Sequence, residues 1–429
     1  MRTKSIFQTF SSRLLILLLN FGIIIFSTNF WGAEGRGVIA LVVADLAVIG
    51  FFTNIIVGSS ISYFAAKLTP GEILTYAYIW AVVCGISLPL FMLFNEHSRE
   101  YLHYLIILSV LIALFTANIS LFLGQKKLER YNAYSAMQNI LHFLVIGIMV
   151  LVFKWESVEI YFKAQIFSYL VLVLIMFAII WREIKFTRMK LSQSTVKKLF
   201  SYGWKTQLSA FLQFLNYRLS FYFLEIFRGV ASVGVFSVSA AFSESVWTVS
   251  RSLALVLYSD VVNNADHHDS VAKTKFSVKL CFLATILLLA LILSIPTKIY
   301  MLIFGESFHE VKNVILVLSP GILMIAVSDI IGYYFAATHQ LKILNIKSAV
   351  GLVVTVFCGL YAIPKWGLIG AGIVTSLSYS VSSLLLFWKF YQNASFKGSD
   401  LFFTQSEFQQ LLNICLLYTS PSPRDVEES

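Results

Sequence analysis

Long apolar runs alternate with short polar connections along nearly the whole chain, and the runs are too long for the core helices of a soluble domain. A helix needs about 20 consecutive apolar residues to cross roughly 30 Å of hydrocarbon. Runs of that length predict spans near 12–30, 38–63, 73–94, 101–123, 132–153, 160–181, 205–227, 233–258, 276–297, 312–338, 343–363 and 368–390. The expected fold is an all-α polytopic membrane protein with about 12 transmembrane helices. The first run follows Arg2, Lys4 and Arg13 and is longer than the apolar core of a signal peptide, so it reads as a retained helix.

The polar connections carry a repeat. Trp31-Gly32-Ala33-Glu34-Gly35-Arg36-Gly37-Val38 separates the first two spans, and Gly229-Val230-Ala231-Ser232-Val233-Gly234-Val235 separates the seventh and eighth. Both hold two glycines five apart, as a tight interhelical turn with positive φ favours, and the second glycine is expected to open a helix. Leu19-Asn20-Phe21 and Leu215-Asn216-Tyr217 echo each other, as do Lys154-Trp155 and Lys365-Trp366, and Ser168-Tyr169 and Ser378-Tyr379. The polar stretch from Trp181 to Lys205 is the natural boundary, giving six-helix halves at 1–190 and 191–400. Six is an even number, so both halves start on the same side and form a parallel repeat around a central cavity.

Charge then orients the chain. With the N-terminus inside, inward connections and tails hold 21 of the 32 Lys and Arg, and outward ones hold eight. This asymmetry places both termini in the cytoplasm. The net charge of +10 is therefore anchoring, with the cluster from Arg182 to Lys205 near lipid headgroups, and nucleic acid is not an expected partner. The four cysteines suggest no disulfide or zinc site, and His267-His268 lies in a polar loop, so no metal is expected. Residues 401–414 read as the start of a further segment, and 415–429 resemble translated adapter read-through, a non-native tail.

Candidate chemistry lies where charge interrupts the spans. An ionised side chain costs roughly 2.5–3.5 kcal/mol at the bilayer centre, so each should face a cavity or a partner. The interruptions are Asp45, Arg218, Glu225, Glu244, Arg251 and Asp329. Gln207 and Arg218 share a helix face three turns apart, and Tyr222 and Glu225 continue it; Glu244, Thr248 and Arg251 repeat the spacing. Arg218 and Arg251 suit phosphate, because a guanidinium presents a planar fork of donors. Gln207, Asn216 and Arg36 join them as candidate anion-binding residues. The alternative is that Arg218–Glu225 and Glu244–Arg251 neutralise each other. Asp45 and Asp329 are candidates for coupling to H⁺ or Na⁺, or for pairing with the arginines. No cofactor is expected, and no Walker loop, GxSxG elbow or HExxH motif is present, so the chain does not read as an enzyme.

In these motifs the chain resembles the Wzx-type polysaccharide flippases of the multidrug/oligosaccharidyl-lipid/polysaccharide exporter superfamily. The segments are Trp31–Gly37, Tyr202-Gly-Trp-Lys-Thr-Gln-Leu208, Leu215–Arg218, Gly234-Val-Phe-Ser237, Phe304-Gly-Glu-Ser-Phe308, Leu318-Ser-Pro-Gly321 and Ile363–Ala371. An acidic residue common shortly after the span-seven arginine is replaced here by Leu219 and Ser220. The resemblance implies a bacterial inner-membrane flippase that moves an undecaprenyl-diphosphate-linked glycan to the periplasmic leaflet for O-antigen, capsule or exopolysaccharide synthesis. It implies membrane lipids, a polysaccharide polymerase and a chain-length regulator as partners. A lipid II flippase or a drug/cation antiporter shares the architecture, although an antiporter cavity favours acidic residues. A membrane polymerase or ligase usually has a large outward loop, which this chain lacks.

Overall fold

The computed structural model describes residues 3–94, 96–183, 192–263, 267–338 and 340–394. Among them every regular element is helical and no strand occurs. The helices are α1 (Thr3–Val57), α2 (Ser59–Phe64), α3 (Pro70–Ser87), α4 (Glu96–Glu100), α5 (Leu102–Gly124), α6 (Leu128–Leu151) and α7 (Glu159–Glu183). They continue as α8 (Gln193–Arg228), α9 (Val230–Asn263), α10 (His267–Ser294), α11 (Thr297–Phe304), α12 (Val311–Ala337) and α13 (Leu341–Ala394). The expected segments at 401–414 and 415–429 lie outside the described residues.

Nine helical stretches among the described residues are long and apolar enough to cross a membrane. Two of them, Ser11–Phe64 with 54 residues and Lys342–Ala394 with 53, far exceed one bilayer crossing. Each is broken by a glycine with positive φ, Gly32 at 63° and Gly367 at 56°. The chain thus turns from one span to the next with a single non-helical residue rather than with a loop. Counting each broken helix twice, and adding the 36-residue α8, recovers the expected twelve. The polar α8 falls outside the nine because Gln207, Gln213, Asn216, Arg218 and Glu225 make it too polar along its length. Large apolar side chains stand on the outside, Leu287 at 61% and Phe357 at 72% exposure among them, as lipid contact requires.

The described residues divide into two compact units. One comprises the described parts of Met1–Ser245 with Leu293–Ser319 and Ser348–Ser378. In it Ile55, Ile73, Ala77, Ala117, Leu121, Leu172 and Leu199 form one buried apolar cluster. A second cluster gathers Ile39, Val42, Leu105, Leu108, Ile146, Ile160 and Phe162. Between helices in lipid the hydrophobic effect supplies little attraction, and close packing of small residues supplies more.

The two glycine turns show this best. In each copy the first glycine carries the positive φ, 63° at Gly32 and 85° at Gly229, and the helix resumes at the next residue. The second glycine does not open a helix, as the sequence suggested; Gly37 and Gly234 lie more than one turn inside. They bring the two copies against each other. A Cβ on Gly37 would overlap the Val230 carbonyl, and one on Gly234 would overlap the Ala33 carbonyl.

The other unit comprises Val246–Ile292, Pro320–Lys347 and the described part of Tyr379–Ser429. Aromatic edges hold it: Trp247 meets Tyr379 at 5.5 Å between centroids, and Tyr334 meets Phe390 at 5.2 Å. The Cys281 thiol donates to the Ala326 carbonyl at 3.4 Å.

Candidate anion-binding cavity

A cavity of about 340 Å³ lies within the first unit. Residues of α1, α6, α7, α8 and α9 line it, and its charged lining residues are Arg36, Arg218 and Glu244. The helix that resumes after Gly32 carries Arg36 on its first turn, so the break in α1 decides where this guanidinium points. Arg36 Nε donates to Ser237 Oγ at 3.0 Å, and Ser237 donates onward to the Gly234 carbonyl at 2.8 Å. The chemistry of the first glycine turn is thus docked on the second.

Arg218 enters from α8 and donates to Glu244 on α9 at 2.5 Å. Its guanidinium also sits over the Phe221 ring, 4.9 Å from the centroid. The pair that forms is Arg218–Glu244, where helical spacing had suggested Arg218–Glu225 and Glu244–Arg251. With Arg36 and Arg218 positive and Glu244 negative, these lining residues carry one net positive charge. Two guanidinium groups lining one cavity can hold an anion with more than one oxygen in a bidentate manner.

The other polar lining residues include a neutral set. Gln138, Asn139 and His142 come from α6, and Tyr161, Gln165 and Tyr169 from α7. His142 is buried, and its Nε2 lies 3.1 Å from the Tyr161 carbonyl, so Nε2 carries the proton and the ring is fixed against Tyr161. None of these six residues was among the candidates read from the sequence, which lay in spans interrupted by charge or in the glycine and Asn motifs. Their signal is visible in the spacing: Gln138 and His142 are one turn apart, and Tyr161, Gln165 and Tyr169 repeat every four residues on α7.

The remaining expected residues lie elsewhere. Asp45 is buried near the cavity lining of α1 and accepts two hydrogen bonds, from Ser98 at 2.6 Å and Tyr222 at 2.8 Å, rather than pairing with an arginine. Tyr222 is the residue that helical spacing aligned with Arg218, so α8 sends one neighbour to the cavity and the next to Asp45. Asn216 does not reach the cavity: its Oδ1 accepts from Thr355 and Ser378, each at 2.7 Å, and is buried against α13. Gln207 and Glu225 are half-buried on α8 and do not line the cavity.

Arg251 and Asp329 belong to the second unit. Arg251 is exposed, with its guanidinium 5.9 Å from the Trp247 ring centroid. Asp329 pairs at 3.6 Å with Lys347, both side chains being about nine-tenths buried. Lys347, near the start of its apolar run, was not among the charges singled out from the sequence. Among the described residues no group of three potential metal ligands occurs.

The same helical architecture recurs in solved transporters. An inward-facing multidrug resistance MATE family transporter of the MOP superfamily superposes with a TM-score of 0.74 at 16% identity, covering 89% of this chain and 94% of that one. Lipid II flippase MurJ in an inward closed conformation gives 0.75 at 12% identity, covering 97% and 93%. A MOP superfamily transporter from Pyrococcus furiosus gives 0.60 at 15% identity, covering 91% and 94%. No curated protein sequence matches the chain. The fold is that of the MOP-superfamily membrane transporters. The profile of the family described as "Polysaccharide biosynthesis protein" matches residues 3–258, and the chain belongs to that family.

Proposed function

We propose that the protein is a flippase for a polyprenyl-diphosphate-linked oligosaccharide, undecaprenyl being the expected carrier, from which cell-surface polysaccharide is built. The observation that carries this reading is the convergence of Arg36 and Arg218 on one membrane-embedded cavity, with a net positive charge. A diphosphate needs that charge at the point where it leaves both aqueous phases. The neutral polar wall suits sugar, and the lipid tail stays in the bilayer.

In this reading both termini are cytoplasmic in a bacterial inner membrane, and the six-helix halves 1–190 and 191–400 alternate access to the two sides. Outward movement of each negative charge across an inside-negative potential releases about 2.3 kcal/mol per 100 mV. The arginines then need only lower the midplane barrier. Asp45 is the proposed H⁺ or Na⁺ coupling residue, and a polymerase and a chain-length regulator are the proposed partners downstream.

Lipid II flipping is the second reading, because a lipid-linked diphosphate of that kind would meet the same two guanidinium groups. A drug/cation antiporter is disfavoured by the cavity's charge, since a cation would meet two guanidinium groups. The test is complementation of strains lacking either a repeat-unit flippase or a lipid II flippase. The chain is expected to restore surface polysaccharide in the first, and Arg218→Ala to abolish that rescue at unchanged membrane expression. Rescue by Arg218→Ala as full as by the parent chain refutes the anion-binding role.

A further inference from the structure

Gln165 lines the cavity, is only 9% exposed, and its Oε1 has no hydrogen-bond partner. A buried amide oxygen left unpaired opposes folding unless something else satisfies it. A half-turn about the terminal torsion exchanges Oε1 and Nε2, so the head can offer the cavity an acceptor or a donor. One turn away on α7, on either side, are Tyr161 and Tyr169, and the neighbouring α6 adds Gln138, itself buried, to the same lining. None of these four side chains is charged, and each has a polar end that both donates and accepts except where the amide divides the two roles. Such a wall offers no charge to an ion. It matches a neutral ligand dense in hydroxyl groups, each of which donates and accepts in the same way, while the aromatic rings cover its C–H faces.

Resting on the flippase reading above, we propose that Gln165, with Gln138, Tyr161 and Tyr169, forms a glycan subsite that binds the sugar nearest the diphosphate while Arg36 and Arg218 hold the phosphates. The two sets line the same cavity of about 340 Å³, room for little more than the diphosphate and its first sugar. The wall is therefore where this chain distinguishes a sugar-bearing lipid from a bare one.

The test uses the purified full chain in lipid nanodiscs, titrated with undecaprenyl diphosphate and with the same lipid bearing a disaccharide. The parent chain is expected to bind the glycosylated lipid about tenfold more tightly, the equivalent of one or two net hydrogen bonds. Gln165→Met, which keeps the volume and removes the polar head, brings the two lipids within twofold of each other by weakening only the glycosylated one. Because it also removes a buried amide oxygen that has no partner, it leaves the Tm unchanged or raises it. Gln138→Met acts in the same direction and carries the test independently. A preserved tenfold preference in both variants overturns the subsite, as does equal binding of the two lipids by the parent chain. If the parent chain binds neither lipid, the flippase reading falls and the subsite with it.

Discussion

Arg218 and Glu244 neutralise each other at 2.5 Å, yet replacing either one changes the cavity charge in opposite directions, which gives the prediction a sign. Arg218→Ala leaves Arg36 against Glu244 and a neutral set. Glu244→Ala leaves two guanidinium groups and doubles the positive charge, and the double variant restores the original single charge through Arg36 alone. A unit charge about 5 Å from a phosphate at an effective dielectric constant near 20 contributes about 3 kcal/mol. The Arg218 side chain is 26% exposed, so solvent screening lowers this. About 1.4–2.7 kcal/mol remains, or roughly 10- to 100-fold in affinity. Titrating nanodisc-embedded protein with undecaprenyl diphosphate, we expect Arg218→Ala to weaken binding by that factor, Glu244→Ala to strengthen it, and the double variant to fall between them. The Tm should move little in all three, because a pair this accessible contributes at most about 1 kcal/mol. If Glu244→Ala weakens binding as much as Arg218→Ala does, the pair is structural and the charge argument is wrong.

Three further substitutions test the architecture. Lys347→Ala strands the buried carboxylate of Asp329 and should cost about 3–5 kcal/mol, read as a large fall in Tm or loss of folded protein, while Asp329→Leu combined with Lys347→Met recovers most of it; a double variant no better than the single overturns the pairing. Asn216→Leu removes the acceptor shared by Thr355 and Ser378 and should cost about 0.6–1.7 kcal/mol per bond without changing affinity for undecaprenyl diphosphate. A weakened affinity would return Asn216 to the binding site. Gly234→Val drives its side chain into the Ala33 carbonyl and should cost about 1–3 kcal/mol or more, whereas Gly147→Ala, with open space at its Cβ, should be neutral to mildly stabilising. Equal Tm values for the two would show that the glycine turns do not pack as described.

Much of the architecture was legible in the chain because bilayer thickness imposes a length on every span, and that length is read directly from apolar runs. The glycine turns were legible as turns for a similar reason: only glycine reaches their φ at no cost. Their mutual contact was not legible, since nothing in either copy says which helix its second glycine will face. The site divided in the same way. Arg218 announced itself by the cost of placing a charge in hydrocarbon. Asn216, two residues earlier, looked equivalent by motif but points to α13, because adjacent positions on a helix diverge by about 100°.

By itself, then, the sequence determined that this is a helical membrane protein of about twelve spans, internally repeated, with charge concentrated around its seventh and eighth spans. Those properties follow from local rules: run length, spacing along one helix, and the conformational range of single residues. Only the tertiary structure decided that Arg218 pairs with Glu244, that Arg36 docks on Ser237, that Asp45 meets Ser98 and Tyr222, and that Gln165 is left without a partner. Each of these contacts joins residues that are tens to hundreds of positions apart, or depends on which groups fail to meet. Helical periodicity fixes a side chain's direction about its own axis, but only packing fixes what stands opposite.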